Sequence, residues 1–265
     1  MADPTIILQR DGPVACITFN RPAAYNSLDV PDAKLLLEAA VEVDGDPGIR
    51  AVVITGSGGS FCAGGDVKAF GAHAADLDAY LREVTTYIHA AVAKFYRMGK
   101  PLVTAVNGPA AGAGCGIAMM GDIAIADPAA SFLLAFSALG LTPDSGTSWI
   151  LPRVVGLRKA QEIYLLGRKI GAEEAAAIGM VTRLSEPGRS VEEAMALADT
   201  LADGPSAAFG ATRRLLLDAQ VRSLEAHLDV ESRMIGALSQ TAESREGIAA
   251  FLEKRKADYR GASTR

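Results

Sequence analysis

The chain has 265 residues, 49% of them hydrophobic and 22% charged, which is enough to bury the core of one full-sized domain. Its formal net charge of -5 provides no basic surface for a polyphosphate, so we expect no nucleic-acid partner. The amino-terminal segment lacks the basic and long apolar runs of a signal peptide or a membrane span, and an odd number of cysteines, 3, suits a reducing compartment. We therefore expect a cytoplasmic protein with no disulfide and no membrane partner.

Short segments rich in β-branched residues alternate with helical segments through the first two thirds of the chain. Thr5–Leu8 and Val14–Phe19 flank the turn residues Asp11-Gly12-Pro13, a pattern that predicts a β-hairpin. From Leu77 to Phe95, apolar residues recur at three- and four-residue steps, which predicts one face of a long helix. Further buried strands are predicted at Ala51–Thr55, Leu102–Val106 and Asp122–Ala126. The alternation of strand and helix predicts an α/β fold.

The last third of the chain is almost entirely helix-forming. It opens with Ser190 and Glu193 in capping-box spacing. We therefore divide the chain into an α/β core, residues 1–195, and a helical region, residues 196–265, which is too thin to bury its own apolar residues. This region is expected to pack on the core or on another subunit.

Two glycine-rich segments directly follow predicted strands. They are GSGGSFCAGGD, Gly56–Asp66, and NGPAAGAGCG, Asn107–Gly116. Such segments form tight turns, or they present backbone N–H groups to an oxygen anion at the start of a helix. Neither contains the Gly-Lys-Ser/Thr of a phosphate-binding P-loop, and Ile117 replaces the third glycine of a dinucleotide fingerprint. The sequence therefore predicts a local anion site rather than a nucleotide cofactor.

Asp144 lies between a proline and a Ser-Gly-Thr run in the segment LGLTPDSGTSWILPRVVG. It has two interpretations: its carboxylate caps the helix that begins near Trp149, or it moves a proton at an apolar site. A cap lowers the pKa of the carboxyl, whereas an apolar wall formed by Phe132, Phe136 and Leu139 raises it. The sequence leaves both interpretations open.

Four segments resemble, in order and spacing, the enoyl-CoA hydratase/isomerase family, which has the crotonase fold. These segments are RPAAYNSLD (Arg21–Asp29), SFCAGGDVKAF (Ser60–Phe70), AVNGPAAGAGCGIAMMGDIAIA (Ala105–Ala126) and the TPDSG that contains Asp144. The resemblance implies a spiral of strand-strand-helix units, a C-terminal helical trimerisation region that gives a homotrimer or a dimer of trimers, and an acyl-CoA substrate. It also implies that the Gly65 and Ala113 amides hold the thioester oxygen in an oxyanion hole. Coenzyme A would be part of the substrate, and no other cofactor is expected.

The chain departs from the family's hydratases at both of their catalytic glutamates. Gly116 and Phe136 occupy those two positions, whereas Asp144 corresponds to the acid of an isomerase branch that handles ring-epoxide and unsaturated acyl-CoAs. The resemblance therefore predicts an acyl-CoA isomerase in which Asp144 takes a proton from one carbon and returns it to another. Two alternatives are an enoyl-CoA hydratase with a single acid and a non-catalytic acyl-CoA-binding protein.

The resemblance also implies a set of contacts to the coenzyme A part of the substrate. These residues are Ala24, Asn26, Leu28, Ala63, Asp66, Lys68 and, from a neighbouring subunit, Lys254. From its position before a helix, Asp66 is also expected to cap that helix.

His89 lies on the flank of the long predicted helix, and the simple interpretation is a half-buried helical histidine. In a related dehalogenase a histidine base lies near this position, but that enzyme has a tryptophan where this chain has Phe136. No His, Cys and acid residues have metal-ligand spacing, so we expect no metal.

Overall fold

A computed structural model describes residues 4–263, and its core is a sheet of 6 strands in the order β1-β2-β3-β4-β6-β9. The strands are β1 Ile6–Asp11, β2 Val14–Phe19, β3 Ala51–Gly56, β4 Leu102–Val106, β5 Ala110–Ala111, β6 Ile123–Ala126, β7 Ser131–Leu133, β8 Lys169–Gly171 and β9 Arg183–Leu184. β1 and β2 pair antiparallel as the predicted hairpin, and the other neighbours in this sheet pair parallel. β5, β7 and β8 form a second, 3-stranded sheet.

Helices cover the sheet and make up the last part of the chain. They are α1 Val30–Gly45, α2 Val67–Ala72, α3 Leu77–Arg97, α4 Ala113–Met119, α5 Thr147–Val155, α6 Leu157–Leu166, α7 Ala172–Ala177, α8 Ser190–Ala202, α9 Ser206–Asp218, α10 Leu224–Leu238, α11 Ala242–Leu252 and α12 Tyr259–Ser263. Two short 3-10 helices span Pro22–Ala24 and Ala135–Leu139. The predicted strands and the long helix are confirmed, with ends that agree or differ by up to three residues.

The main sheet is buried on both faces, which explains why its central strands read as continuous apolar runs. All 6 residues of β3 are buried. On one face, α1 and α3 pack against each other and close the main core, which contains Val52 and Ile54. On the other face, α8 packs on β3 and β4, where Val53 and Val103 contact its alanines.

The start of α8 corrects one sequence prediction. Ser190 does not cap this helix: the N-cap residue is Arg189, and its side chain accepts no capping hydrogen bond. Glu193 does not reach back to the helix start, because it accepts the Glu186 N–H at 2.8 Å and pairs with Arg183. The capping box predicted at Ser190 and Glu193 is therefore wrong.

The predicted boundary at residue 195 falls inside α8. Ala194, Ala198 and Ala202 of this helix are fully buried against the sheet. The part of the chain that leaves the α/β core therefore begins after Ala202, with α9 to α12.

Candidate active site

The two glycine-rich segments, the end of the second 3-10 helix and α3 enclose a cavity of about 440 Å³. Gly65, Ala113 and Asp144 all line this cavity, as does Ala63. Residues that are up to 81 positions apart in the sequence, Ala63 and Asp144, thus line the same cavity. That meeting is the geometric requirement for a site in which amides and an acid act on one ligand.

The first glycine segment presents the Gly65 amide to the cavity. Leu28 forms hydrogen bonds with the residues on both sides of Gly65. The Leu28 N–H donates to the Gly64 carbonyl at 2.7 Å, and the Leu28 carbonyl accepts the Asp66 N–H at 2.9 Å. The Gly65 N–H itself has no acceptor among residues 4–263. A side chain at Gly65 would collide with Phe70, since an added Cβ would lie 2.6 Å from the ring. Glycine is therefore required here for packing, and its amide remains available.

The second glycine segment presents the amide of Ala113, the first residue of α4. Its N-cap is Gly112, whose φ of +49° is in the region that favours glycine. The Ala113 N–H has no acceptor in the described part of the chain, as expected at a helix start, where the helix dipole also favours negative charge.

The two segments are in direct contact through Gly64. A Cβ added to Gly64 would lie 2.6 Å from the Ala111 carbonyl oxygen and 2.9 Å from the Ala113 nitrogen. Gly64 also has a φ of +79°. This close approach places the Gly65 and Ala113 amides on the same wall of the cavity.

Asp144 does not cap α5, so that interpretation of its carboxylate is wrong. The helix begins at Thr147 with Gly146 as its N-cap residue. It is the backbone carbonyl of Asp144 that accepts hydrogen bonds, from the Thr147 N–H at 2.9 Å and the Thr147 hydroxyl at 2.8 Å. Ser145 and Gly146 both have positive φ, which moves the helix start beyond the reach of the carboxylate.

Asp144 is a half-buried acid, and one oxygen of its carboxyl has no hydrogen-bond partner in the described structure. Its Oδ1 is buried and has no hydrogen-bond partner in the described structure. Burial raises the pKa of this carboxyl above its ordinary value. Of the apolar wall predicted from the sequence, Phe136 and Leu139 line the cavity, whereas Phe132 lies in the core. A raised pKa is typical of a group that exchanges protons.

His89 does not line the cavity that contains Asp144. Its Nε2 accepts the Ser145 N–H at 3.0 Å, so this nitrogen carries no proton of its own. The residue is exposed rather than half-buried, and it lines a second cavity of about 790 Å³. These contacts rule out the arrangement in which His89 is a base facing the same ligand as Asp144.

The structure places the predicted coenzyme A contacts Asn26 and Leu28 inside the protein. The Asn26 amide nitrogen donates to the Ser60 carbonyl at 2.8 Å and the Phe61 carbonyl at 3.2 Å, and its oxygen accepts the Arg21 N–H at 2.9 Å. The Leu28 side chain is buried in the core. These two side chains therefore hold the first glycine segment in place, and contact of Asn26 and Leu28 with coenzyme A stays a prediction.

The remaining predicted contacts lie outside the cavity, apart from Ala63. Asp66 caps α2 as expected, accepting the Lys68 N–H at 3.0 Å, and it pairs with Arg21 at 2.7 Å. Burial would raise the pKa of the Asp66 carboxyl, but Arg21 and the backbone donors outweigh it and lower that pKa. Ala24 is in the first 3-10 helix. Lys68 and Lys254 are exposed.

A glutamate cannot be accommodated at Gly116. A Cβ there would lie 2.8 Å from Thr147 Cγ2 and 2.9 Å from the Ser145 carbonyl oxygen. The turn that follows Asp144 therefore fills the space next to this position. Phe136 lines the cavity, where it contributes an apolar ring instead of an acid.

Several lining residues were not identified from the sequence. Phe70 stands within the SFCAGGDVKAF segment, but its contact with Gly65 depends on the path of α2. Arg82 and Thr85 of α3 line the opposite side, and Arg82 pairs with Asp78 at the exposed rim. Asp78 and Arg82 are four residues apart, and Arg82 and Thr85 are three apart, which predicts that they share one face of the helix. Nothing in the sequence says what that face contacts.

Within residues 4–263 no group of three or more His, Cys, Asp or Glu side chains is arranged to hold a metal ion. No helix of that part of the chain is long and apolar enough to cross a membrane.

Comparisons with known proteins agree on one family. The family model described as enoyl-CoA hydratase/isomerase matches residues 9–262. A Rhodobacter capsulatus protein named "Probable enoyl-CoA hydratase" is 40% identical over 248 residues, 94% of this chain and 95% of that protein. The 1,2-epoxyphenylacetyl-CoA isomerase of Escherichia coli K12 is 36% identical over 252 residues, with 94% of this chain and 95% of that protein covered.

The fold agrees as well. The crystal structure of an enoyl-CoA hydratase from Polaromonas sp. JS666 matches with a TM-score of 0.91 at 30% identity and covers 95% of this chain and 98% of its own. The chain therefore belongs to the enoyl-CoA hydratase/isomerase family and has the crotonase fold. It is an enzyme of the class that acts on acyl-CoA thioesters. Both hydratases and an isomerase occur among its relatives, and these two reactions differ in the acids that they need.

Proposed function

We propose that the protein is an acyl-CoA isomerase that moves a double bond in an unsaturated acyl-CoA thioester. The class of substrates includes thioesters whose acyl group is a ring or a ring epoxide. The observation that carries this proposal is the half-buried carboxyl of Asp144, which lines the same cavity as the free Gly65 and Ala113 amides. Asp78 also lines the cavity, but it is exposed and paired with Arg82. Asp144 is thus the acid whose environment suits proton exchange with carbon.

The reaction proceeds through an enolate. The thioester oxygen accepts hydrogen bonds from the Gly65 and Ala113 amides, which stabilise the negative charge that develops when a proton leaves carbon. The Asp144 carboxylate takes that proton, the C–H electron pair enters the conjugated system, and the same proton returns to a different carbon. Protons and electrons balance within the substrate, so the reaction needs no redox cofactor.

Isomerisation fits the site better than hydration does. Water addition in typical hydratases of the family uses a pair of glutamates, and the two positions that supply this pair are Gly116 and Phe136 here. The E. coli relative named as an isomerase supports this choice. A single-acid hydratase is the second candidate, which the name of the R. capsulatus relative favours.

We also propose that the active form is a homotrimer or a pair of trimers. The support is a set of large apolar side chains that α10 and α11 leave exposed in the single chain. These residues are Leu224, Leu228, Ile235, Ile248, Phe251 and Leu252. Apolar surface of this extent is typical of an interface between subunits.

Replacing Asp144 with asparagine tests the proposed mechanism. Asp144→Asn keeps the size of the side chain and removes the group that accepts a proton, so turnover should fall about a hundredfold to ten-thousandfold. Because the carboxylate caps nothing and one of its oxygens is buried without a partner, the variant should unfold at the same denaturant concentration as the parent, or at a higher one. Acyl-CoA affinity should change little.

The matched control is Asp78→Asn, which changes the other carboxyl of the cavity. Asp78 is exposed and serves an ion pair at the rim, so its variant should keep turnover close to that of the parent. Parental turnover by the Asp144→Asn variant, on a substrate that the parent converts, would refute Asp144 as the proton carrier. Conversely, acyl-CoA binding without turnover of any tested substrate by the parent would favour the non-catalytic alternative.

A further inference from the structure

The backbone that follows Asp144 is strained. Ser145 has a φ of +51° and Gly146 a φ of +74°, so two successive residues are in the left-handed region. Glycine adopts this conformation freely, but serine does so only where its surroundings hold it there. Ser145 is fully buried, and its hydroxyl has no hydrogen-bond partner in the described structure. The hydroxyl therefore does not stabilise the turn.

The contact that holds this turn from outside is made by His89. Hydrogen bonds from Thr147 to the Asp144 carbonyl are local to the turn and the first residue of α5. Within residues 4–263, the bond from the Ser145 N–H to His89 Nε2, at 3.0 Å, is the hydrogen bond that ties Asp144–Gly146 to another element. That element is α3, which also supplies Thr85, one helical turn earlier, to the wall of the candidate active site.

We infer that His89 is a positioning residue, which holds the strained Ser145 turn so that the Asp144 carboxyl faces the acyl group. This inference rests on the proposed function of Asp144. His89 itself does not touch the substrate, because its ring lines the second cavity and its Nε2 is occupied by the Ser145 amide. Without that acceptor, the turn can relax toward negative φ, which redirects the carboxyl of the preceding residue. A shift of about 1 Å in a reacting group is enough to lower a rate about a hundredfold.

Two variants of His89 separate positioning from other roles. His89→Leu removes the acceptor, whereas His89→Gln provides an amide oxygen that can accept the Ser145 N–H but cannot act as an imidazole base. We expect His89→Leu to lower kcat by about tenfold to a hundredfold with a nearly unchanged KM, and His89→Gln to recover most of that loss. His227→Gln, a histidine substitution on α10, is the matched control and should behave as the parent does.

A second measurement does not depend on turnover. In the substrate-free protein, the Ser145 amide hydrogen should exchange slowly with solvent, and nitrogen NMR of His89 should show an unprotonated Nε2. His89→Leu should speed the exchange of that one amide while leaving the amides of the main sheet protected. This arm remains informative if no tested acyl-CoA is converted, in which case the proposed function fails and the positioning role is judged by exchange alone.

Three results would overturn the inference. One is parental kcat in His89→Leu, and another is unchanged exchange of the Ser145 amide in that variant. The third is an equal loss of kcat in the Leu and Gln variants, which would mean that the imidazole acts on the reaction directly.

Discussion

Replacing Ala113 with proline removes one proposed hydrogen-bond donor with little other change. Ala113 is the first residue of α4, a position at which proline is well tolerated because the helix needs no N–H there. The Ala113 N–H has no acceptor in the described structure, so its loss breaks no hydrogen bond within the protein. The preceding residue is Gly112, which has no Cβ to collide with the proline ring. The folded state should therefore lose little stability.

The transition state, in contrast, should lose the contribution of one donor. A single donor to a developing oxyanion contributes roughly 2.7–4 kcal/mol, so kcat should fall about a hundredfold to a thousandfold. Ala113→Gly keeps the N–H and should retain most of the turnover. The assay is steady-state isomerase turnover, measured together with acyl-CoA affinity and a thermal unfolding curve for each variant.

The chain offers a close control in Ala172→Pro. Ala172 is the first residue of α7, follows a glycine N-cap and is exposed to the same extent as Ala113, 3%, but it lies outside the cavity. Parental turnover in Ala113→Pro would refute the role of this amide. An equal loss of turnover in Ala172→Pro would show that proline at a helix start damages the enzyme in general.

Three further predictions concern the acid, the glycine contact and the assembly. Because burial raises the pKa of Asp144, kcat should fall as the pH falls through that raised pKa, and the unfolding free energy of the parent should rise over the same range; Asp144→Asn should lack that rise. Gly64→Ala should lose turnover and at least about 1–2 kcal/mol of stability, since Gly64 has a φ of +79° and an added Cβ meets Ala111, whereas Gly59→Ala, with open space around it, should not. Sedimentation should show a trimer or larger at micromolar concentration, and a stable monomer would contradict the assembly proposal.

Much of the α/β core could be predicted because its signals are local. A β-branched run such as Ala51–Thr55 is apolar throughout since both faces of the sheet are covered, and the hairpin turn at Gly12 is encoded by adjacent residues. The Gly65 and Ala113 amides were predicted as a donor pair from the order and spacing of family motifs, and both residues line one cavity. The structure then shows why glycine is needed at Gly64 and Gly65, through close contacts with Ala111 and Phe70 that composition alone does not reveal.

The errors arise where a distant residue decides the local structure. Asp144 reads as a helix cap, but the left-handed turn at Ser145 delays the helix, and the hydrogen bond that holds this turn comes from His89 on α3. Glu193 has capping-box spacing, yet Arg183 and the Glu186 amide occupy its carboxylate.

The central claim is that the enzyme moves a proton and a double bond without adding water. Its most direct test is mass spectrometry of the products formed from a panel of unsaturated acyl-CoAs in water enriched in heavy oxygen. Isomerisation predicts a product of unchanged mass with no heavy oxygen, formed by the parent and largely lost in Asp144→Asn. A product that is heavier by one molecule of labelled water would contradict the account and establish hydration instead.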